Sequence, residues 1–282
     1  MSPVLVIARL TLREAVRRRL VAAFAAITVF LVALSAWGFD RLSHAHSLTS
    51  GEVDAALPQA LILFMFMFSF VVALSASAMG SPAVAADVES GVLLSMVTRP
   101  LRRSEVILGK WIGLAASLLA YSVAVSVLEF AVVDLVSGFT PPDPVLAGLY
   151  LFGESAILLT VVLLLSTRLS TLASGVVGIA LFGTAWLAGV VGSLGAGLNI
   201  PAMRTIGSVA RYVLPTDGLW HGAMWYLEPQ SFVGHTLGEA AVAAGNPFFA
   251  SSAPAWTYLV WVAVWFLAVL GAAIASFERR EL

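Results

Sequence analysis

Cysteine is absent from this 282-residue sequence, and only 11% of its residues are charged. The absence of cysteine excludes disulfide bonds and metal sites built from thiolate ligands. The small charged fraction argues against a soluble domain, in which about a quarter of the residues are charged. With 60% hydrophobic residues and a mean hydropathy of +0.97, the chain has too little polar surface to cover a globule in water. Its expected solvent is therefore the lipid bilayer.

Motifs for nucleotide, metal or hydrolytic chemistry are missing as well. Gly109-Lys110 is followed by Trp111 and lacks a glycine five residues before Gly109, so the phosphate-binding loop of ATPases is not present. The four histidines lie outside the apolar stretches, and His44 and His46 have no third metal ligand nearby. We expect no catalytic residue, no metal and no cofactor on this chain. The net charge of −1 argues against a nucleic-acid partner.

Six apolar stretches are long enough, or nearly so, to cross a bilayer as helices, which takes about 20 residues each. They lack the polar and apolar alternation of a barrel wall, so each span is expected to be a helix that satisfies its own backbone. We predict an all-α integral membrane protein that forms one transmembrane domain over residues 1–282. The predicted spans are residues 20–39, 57–79, 111–133, 146–167, 170–195 and 255–277.

Basic residues divide unevenly between the two sides of this six-span arrangement. The side without the termini carries only Arg41, Arg204 and Arg211, which leaves 12 of the 15 basic residues on the other side. Lysine and arginine concentrate in cytoplasmic segments of membrane proteins. We therefore expect a multi-pass protein of the cytoplasmic (inner) membrane with both termini in the cytoplasm. A cleaved signal peptide is the disfavoured alternative, because the first apolar stretch is long and no clear cleavage site follows Trp37.

Residues 1–19 have the pattern of an amphipathic helix lying in the cytoplasmic membrane surface. Arginines recur every four residues on one face, at Arg9, Arg13 and Arg17. The apolar face is formed by Leu5, Ala8, Leu12 and Val16. Arginines in this position meet anionic lipid headgroups. A simple topology anchor and a specific docking helix are both open interpretations.

The cytoplasmic segment 80–110 is too long for a tight turn between two spans. Residues 83–89 suit a short helix that Gly91 breaks or caps, and residues 92–97 are apolar again. Pro100 ends that element, because the residue before a proline avoids the helical region. Ser104 followed by Glu105 indicates the start of the helix that leads into the third span. A short helix displayed at the cytoplasmic face is typical of a docking element, and a surface loop without a partner is the alternative.

The carboxylates inside the predicted spans are Glu129 and Glu154, both placed toward the outer half of their helices. Intramembrane carboxylates are costly and often functional. Structural pairing, for example with Arg204 or Arg211, is favoured over substrate binding, and ion coupling is less favoured still.

The outer segment 198–254 predicts two short helices in the outer leaflet. The first follows Pro215-Thr216-Asp217, and the second covers residues 232–241 before Gly245-Asn246-Pro247 stops it. A small cap outside the membrane is the alternative. Gly109 and Gly113, together with the many glycines of the fifth span, favour close helix packing within the subunit or across a dimer.

The order of these features resembles the type-2 family of ABC exporter permeases, and within it the subgroup of the permease of nitrous-oxide-reductase maturation. The loop from Glu89-Ser-Gly91 through Arg99-Pro100-Leu-Arg102-Arg103 to Gly109-Lys110 is similar to the family's Glu-x-Gly-Thr, Pro-x-x-Arg and Gly-Lys pattern. The basic N-terminal helix, the outer insertion with Tyr212-Val-Leu-Pro215 and the tail Phe277-Glu-Arg279-Arg280 extend the resemblance to nearly the whole chain. Val92 departs from it, since the family often has threonine there.

The resemblance implies a permease that pairs with a second copy of itself or a similar permease, in contact with membrane lipids. It also implies two copies of a separate cytoplasmic ABC ATPase subunit, which holds ATP and magnesium. Residues 83–97 would form the coupling helix in a groove of the ATPase, with Asp87 and Glu89 meeting basic residues there. The coupling residues that it implies are Asp87, Glu89, Gly91, Val92, Arg99, Pro100, Arg102 and Lys110. The alternatives are a subunit that transmits force or anchors an envelope complex without transport, and an ion-coupled carrier using Glu129 and Glu154.

Overall fold

The computed structural model describes residues 2–17, 19–45, 49–91, 102–229 and 245–280. Three predicted coupling residues, Val92, Arg99 and Pro100, lie outside these ranges, as does the second predicted outer helix at residues 232–241. The side chain of Arg17 is also outside the description.

The described residues form ten α-helices and contain no strand. They are α1 (Pro3–Arg17), α2 (Arg19–Ser43), α3 (Ser50–Gly80), α4 (Pro82–Glu89), α5 (Arg103–Ser137), α6 (Pro144–Ser166), α7 (Thr171–Gly197), α8 (Pro201–Val213), α9 (Thr216–Leu227) and α10 (Trp256–Glu278). Within this part of the chain, six helical stretches are long and apolar enough to cross a membrane: α2, α3 with α4, α5, α6, α7 and α10. The prediction of an all-α membrane protein with six spans is confirmed.

Local sequence signals explain where several helices begin and end. Thr49 and Glu52 form a reciprocal capping box at the start of α3. α5 begins at Arg103, one residue earlier than the Ser104-Glu105 pattern suggested, because Glu105 accepts a hydrogen bond of 3.0 Å from the Arg102 backbone N–H. Gly138 ends α5 in the left-handed conformation with φ 70°.

Helix α6 lies at the centre of the bundle. It packs against α3, α4, α5, α7, α9 and α10, and Leu151, Leu158 and Leu163 are fully buried along it. The outer surface of the bundle is apolar on several helices. Large exposed side chains include Val29 and Phe30 on α2, Val176 and Leu187 on α7, and Val264 and Leu267 on α10. These surfaces suit lipid or a second membrane subunit rather than water.

The N-terminal helix α1 packs on α5 through the Gly-x-x-x-Gly pair. A Cβ atom added at Gly113 would lie 2.5 Å from the Ala8 carbonyl oxygen, and one added at Gly109 would lie 2.7 Å from the Ile7 Cβ atom. The two glycines therefore serve packing within the subunit, which was one of the two open options. The buried face of α1 differs in part from the prediction. Ala8 and Ala15 are buried, whereas Leu5 is 52% exposed.

A second close contact joins α7 to α8, which turns back along it. A Cβ atom added at Gly192 would lie 2.8 Å from the Gly207 Cα atom, so the two backbones touch. Helix α9 then returns into the bundle, with Trp220, Met224 and Leu227 fully buried against the core. The sequence predicted α9 but not α8.

Candidate coupling site

The short helix α4 is attached to α5 by an ion pair between Asp87 and Lys110. The ammonium group of Lys110 also donates to the backbone carbonyl of Ala83, one turn earlier on α4. The Lys110 side chain is 12% exposed and that of Asp87 25%. A partly shielded pair interacts more strongly than a solvated one, because less water screens the charges. The side chain of Lys110 therefore fixes the orientation of α4 relative to α5.

Glu89, at the end of α4, caps the N-terminus of α7. Its carboxylate accepts hydrogen bonds from the backbone N–H and the hydroxyl of Thr171, at 3.0 and 3.1 Å. The first N–H groups of a helix have no partner within the helix and carry a partial positive charge, so a carboxylate there is favourable. Ser77 on α3 strengthens the connection, since its hydroxyl donates to the Gly175 carbonyl at 2.9 Å. α4 is thus attached to two spanning helices at once.

Two other predicted coupling residues in the described ranges, Gly91 and Arg102, lie at helix ends. Gly91 has φ 70° and follows α4 in the left-handed conformation that glycine tolerates best. Arg102 is the N-cap of α5. Asp87 and Glu89 use their carboxylates inside the subunit, while Glu89 and Ser90 form the exposed end of α4. Contact of Asp87 and Glu89 with basic residues of an ATPase stays a prediction.

Three arginines hold the C-terminal end of α10 at the same end of the bundle. Arg103 Nη1 donates to the carbonyls of Phe277, Glu278 and Arg280 at 3.1, 2.9 and 2.6 Å. The last carbonyls of a helix lack partners and attract cations. We call Arg103, Arg168 and Arg280 the arginine clasp.

The remaining bonds of the arginine clasp connect α10 to the turn between α6 and α7. Arg168 donates to the hydroxyl and the carbonyl of Ser276 at 2.9 and 3.0 Å, and Arg280 donates to the Thr167 carbonyl. The sequence indicated these arginines as basic residues of the predicted cytoplasmic side and, for Arg103 and Arg280, as parts of the family resemblance, but not as partners of one another's helices. Charge alone does not reveal bonding partners more than a hundred residues away.

The intramembrane carboxylates each accept a hydrogen bond from a serine on a neighbouring spanning helix. Glu129 accepts from Ser35 at 2.5 Å and Glu154 from Ser69 at 2.9 Å. Glu154 follows ten residues of α6 and precedes twelve, so it lies at the middle of that helix rather than in its outer half. Glu129 is eight residues from the end of α5. The two glutamates occupy separate interfaces, α2 with α5 and α3 with α6.

Neither of these glutamates pairs with an arginine among the described residues, so the pairing suggested with Arg204 or Arg211 is wrong there. Arg211 Nε donates to the buried carboxylate of Asp217 at 2.7 Å, and its Nη2 donates to Nε2 of His221 at 2.9 Å. Arg204 instead donates to the carbonyls of Gly195 and Ala196, at the end of α7.

The ring of His221 is held in one tautomer by this arrangement. Its Nδ1 lies 2.9 Å from the Asp217 carbonyl and its Nε2 accepts from Arg211. Burial lowers the pKa of His221, and the nearby Arg211 lowers it further, although Asp217 acts in the opposite direction. A neutral imidazole fits both contacts. The sequence pattern indicated Asp217 only as part of a helix start and gave no signal for His221.

Glu228 is a further buried carboxylate, and no sequence pattern indicated it. It follows α9 directly, and its Oε1 accepts from Gln59 Nε2 at 3.4 Å, while Oε2 has no hydrogen-bond partner among the described residues. Burial raises the pKa of Glu228 to about 8.

The sequence matches the model of a known protein family over nearly its whole length. Residues 5–282 match the model of the ABC-2 family transporter protein. Comparison with curated proteins finds no match. The family match covers nearly the whole chain, including all six candidate spans, α4 and the arginine clasp. Its members are membrane transport components that work with an ABC ATPase. The chain therefore belongs to the ABC-2 family of transporter proteins, as a multi-pass membrane permease.

Proposed function

We propose that this chain is the permease subunit of an ABC exporter, which moves a substrate across the cytoplasmic membrane with ATP hydrolysed by a separate subunit. Two copies of the chain, or one copy with a similar permease, would assemble with two ATPase subunits. The resemblance of the loop to the nitrous-oxide-reductase maturation subgroup belongs to the same proposal. The observation that carries it is the double attachment of α4, to α5 through Asp87 and to α7 through Glu89.

This double attachment supplies a route for mechanical coupling. The exposed end of α4, at Glu89 and Ser90, is the part of the helix that a cytoplasmic subunit would reach. A displacement there acts on α7 through the Thr171 cap and on α5 through Lys110. ATP would shift the permease between two states only to the extent that the docked ATPase binds one of them better.

The positions of the arginines support the orientation that we propose for the chain in the membrane. The arginine clasp lies at the same end of the bundle as α4, and Arg9 and Arg13 are exposed on α1. Exposed arginines on a surface helix fit the anionic cytoplasmic leaflet. We therefore place α1, α4 and both termini on the cytoplasmic side.

The exposed faces of α2 and α7 are the proposed contact with the second permease. On α7, Leu172 and Val176 are largely exposed, and a Cβ atom added at Gly183 would meet nothing within 4 Å. A glycine in such an open position lets another helix approach closely. A path between two copies would thus run beside the helix that Glu89 caps, so that coupling and path share α7.

Docking at α4 is tested by co-purification from the native membrane in mild detergent, with mass spectrometry of the bound proteins. Ser90→Arg places a bulky charge at the exposed end of α4, and Ser252→Arg makes the same change at an exposed serine at the opposite end of the bundle. We expect an ATPase subunit to bind the wild type and Ser252→Arg but not Ser90→Arg. Absence of an ATPase from all three preparations, or its retention by Ser90→Arg, would contradict docking at α4.

A further inference from the structure

A cavity of about 580 Å³ lies at the end of the bundle opposite the arginine clasp. Its walls are the last turns of α7, one face of α8, part of α9, the start of α10 and residues 245–255. Much of the wall is glycine, alanine and serine, including Gly192, Gly207 and Ser252. Small residues of this kind let a ligand approach the backbone closely.

The charged groups on the cavity wall are all of one sign. Arg204 and Arg211 line it, and no Asp or Glu lines it among the described residues. Asp217, the partner of Arg211, is not part of this wall, and its side chain is only 2% exposed. His221 also lines the cavity, and its accepted bond from Arg211 requires an unprotonated Nε2. Asp217 neutralises much of the charge of Arg211 from behind the wall, so the net positive charge that the described wall presents comes mainly from Arg204.

We propose that this cavity binds an anionic phosphate group, carried by a lipid headgroup or by a soluble phosphate ester. Guanidinium groups match the geometry of phosphate oxygens and remain charged at any relevant pH. The volume falls within the range of small-molecule sites, about 300–1,000 Å³, and it exceeds what a bare phosphate ion needs. The proposed ligand is therefore a phosphate ester, whose attached group would occupy the remaining volume.

Both arginines are held in place before any ligand arrives. Arg211 is fixed by Asp217 and His221, and Arg204 by the last carbonyls of α7 and by Asn199 Oδ1 at 2.6 Å. Side chains that are already ordered lose little entropy on binding, which favours affinity. Asp217 in turn packs directly on Gly189, where a side chain would collide with the carboxylate.

Aromatic side chains place the cavity at the depth of headgroups. Tyr212 lines it and is 54% exposed, and its carbonyl accepts from the indole of Trp261 at 3.2 Å. Tyrosine and tryptophan concentrate at the boundary between lipid and water. The proposal rests on this wall alone and does not depend on the docking of an ATPase at α4.

Two probes distinguish the sources of the phosphate. Isothermal titration of the purified chain with glycerol 3-phosphate tests a soluble ester, and native mass spectrometry after exchange into phosphatidylglycerol or phosphatidylcholine nanodiscs tests a lipid. The variants are Arg204→Gln, which removes one charge from the wall, and Ser252→Trp, which fills the cavity from an exposed position. Arg279→Gln is the matched control, since Arg279 is exposed at the opposite end. Thermal unfolding identifies any variant that fails to fold. If Arg204→Gln fails to fold, the comparison of Ser252→Trp with the wild type still tests the proposal.

We expect one probe to bind the wild type and Arg279→Gln equally, and to bind Arg204→Gln and Ser252→Trp at least about tenfold more weakly. Binding of glycerol 3-phosphate identifies a soluble ester as the source, and retention of phosphatidylglycerol alone identifies a lipid. The proposal is overturned if neither probe binds, or if both cavity variants bind as the wild type does.

Discussion

Lys110 on α5 and Asp87 on α4 form an ion pair in which neither side chain is more than 25% exposed. Replacing Lys110 by Met leaves Asp87 partly buried without its cation. We expect a loss of about 1–3 kcal/mol in the free energy of unfolding, because a shielded carboxylate then lacks its partner. Denaturant unfolding of the purified chain measures it. Adding Asp87→Asn to Lys110→Met should recover part of the loss, and a double variant as unstable as the two single losses combined would contradict the pairing.

The contact between α1 and α5 depends on the absence of a side chain at Gly113. Gly113→Ala adds a Cβ atom 2.5 Å from the Ala8 carbonyl oxygen, so we expect α1 to separate from α5. Amide hydrogen exchange in residues 3–15 should then become faster. Gly183→Ala is the matched control, because it adds the same methyl group to a spanning helix where nothing lies within 4 Å. Unchanged exchange in Gly113→Ala would show that α1 is held in another way.

The raised pKa of Glu228 predicts that the free energy of unfolding falls as the pH rises. Its pKa is raised to about 8 in the fold from an ordinary value of 4.5, so between these values the folded protein binds more protons than the unfolded one. The free energy of unfolding then decreases from about pH 4.5 to about pH 8 and levels off above it. Glu228→Gln keeps an acceptor for Gln59 and removes the ionisation. Its Tm should exceed that of the wild type at pH 9 and match it at pH 5, and parallel Tm profiles would refute the assignment.

The two intramembrane glutamates distinguish an ATP-driven permease from an ion-coupled carrier. Glu129→Gln and Glu154→Gln preserve an acceptor for the hydroxyls of Ser35 and Ser69. In an ATP-driven permease both variants should retain ATP-dependent transport by the reconstituted complex, within about a factor of three of the wild type. In a carrier that moves protons through them, transport should be abolished. Abolition together with unimpaired ATPase binding would favour the carrier.

The six spans followed from hydropathy because a bilayer of fixed thickness demands a fixed length of apolar helix. The end of α4 at Gly91 followed similarly from a local signal. The role of Glu89 did not, because its partner Thr171 is 82 residues away and only the packing of α4 beside α7 brings them together. The same holds for Arg103, whose bonds reach carbonyls at the end of the chain.

Helix α8 was missed for a different reason. The uncharged run of the fifth span continues to Met203 and so includes the start of α8, and the break between α7 and α8 is made by Asn199, which has φ 57°. Pro201, at the first position of α8, was the available signal for a new helix start. The glycines predicted close packing correctly but not their partners, since Gly192 could be assigned to Gly207 only once α8 was known to turn back.

The segment between Gly91 and Arg102 is anchored at both of its ends, and the arginine clasp supplies one of the two anchorages. On one side the chain leaves α4, which Glu89 connects to α7, and on the other it enters α5 at Arg103, which is bonded to the end of α10. A displacement of this segment would therefore act on α7 and on α10 together, and both of these helices pack against α6. One short stretch of chain is thus linked to two separate spanning helices.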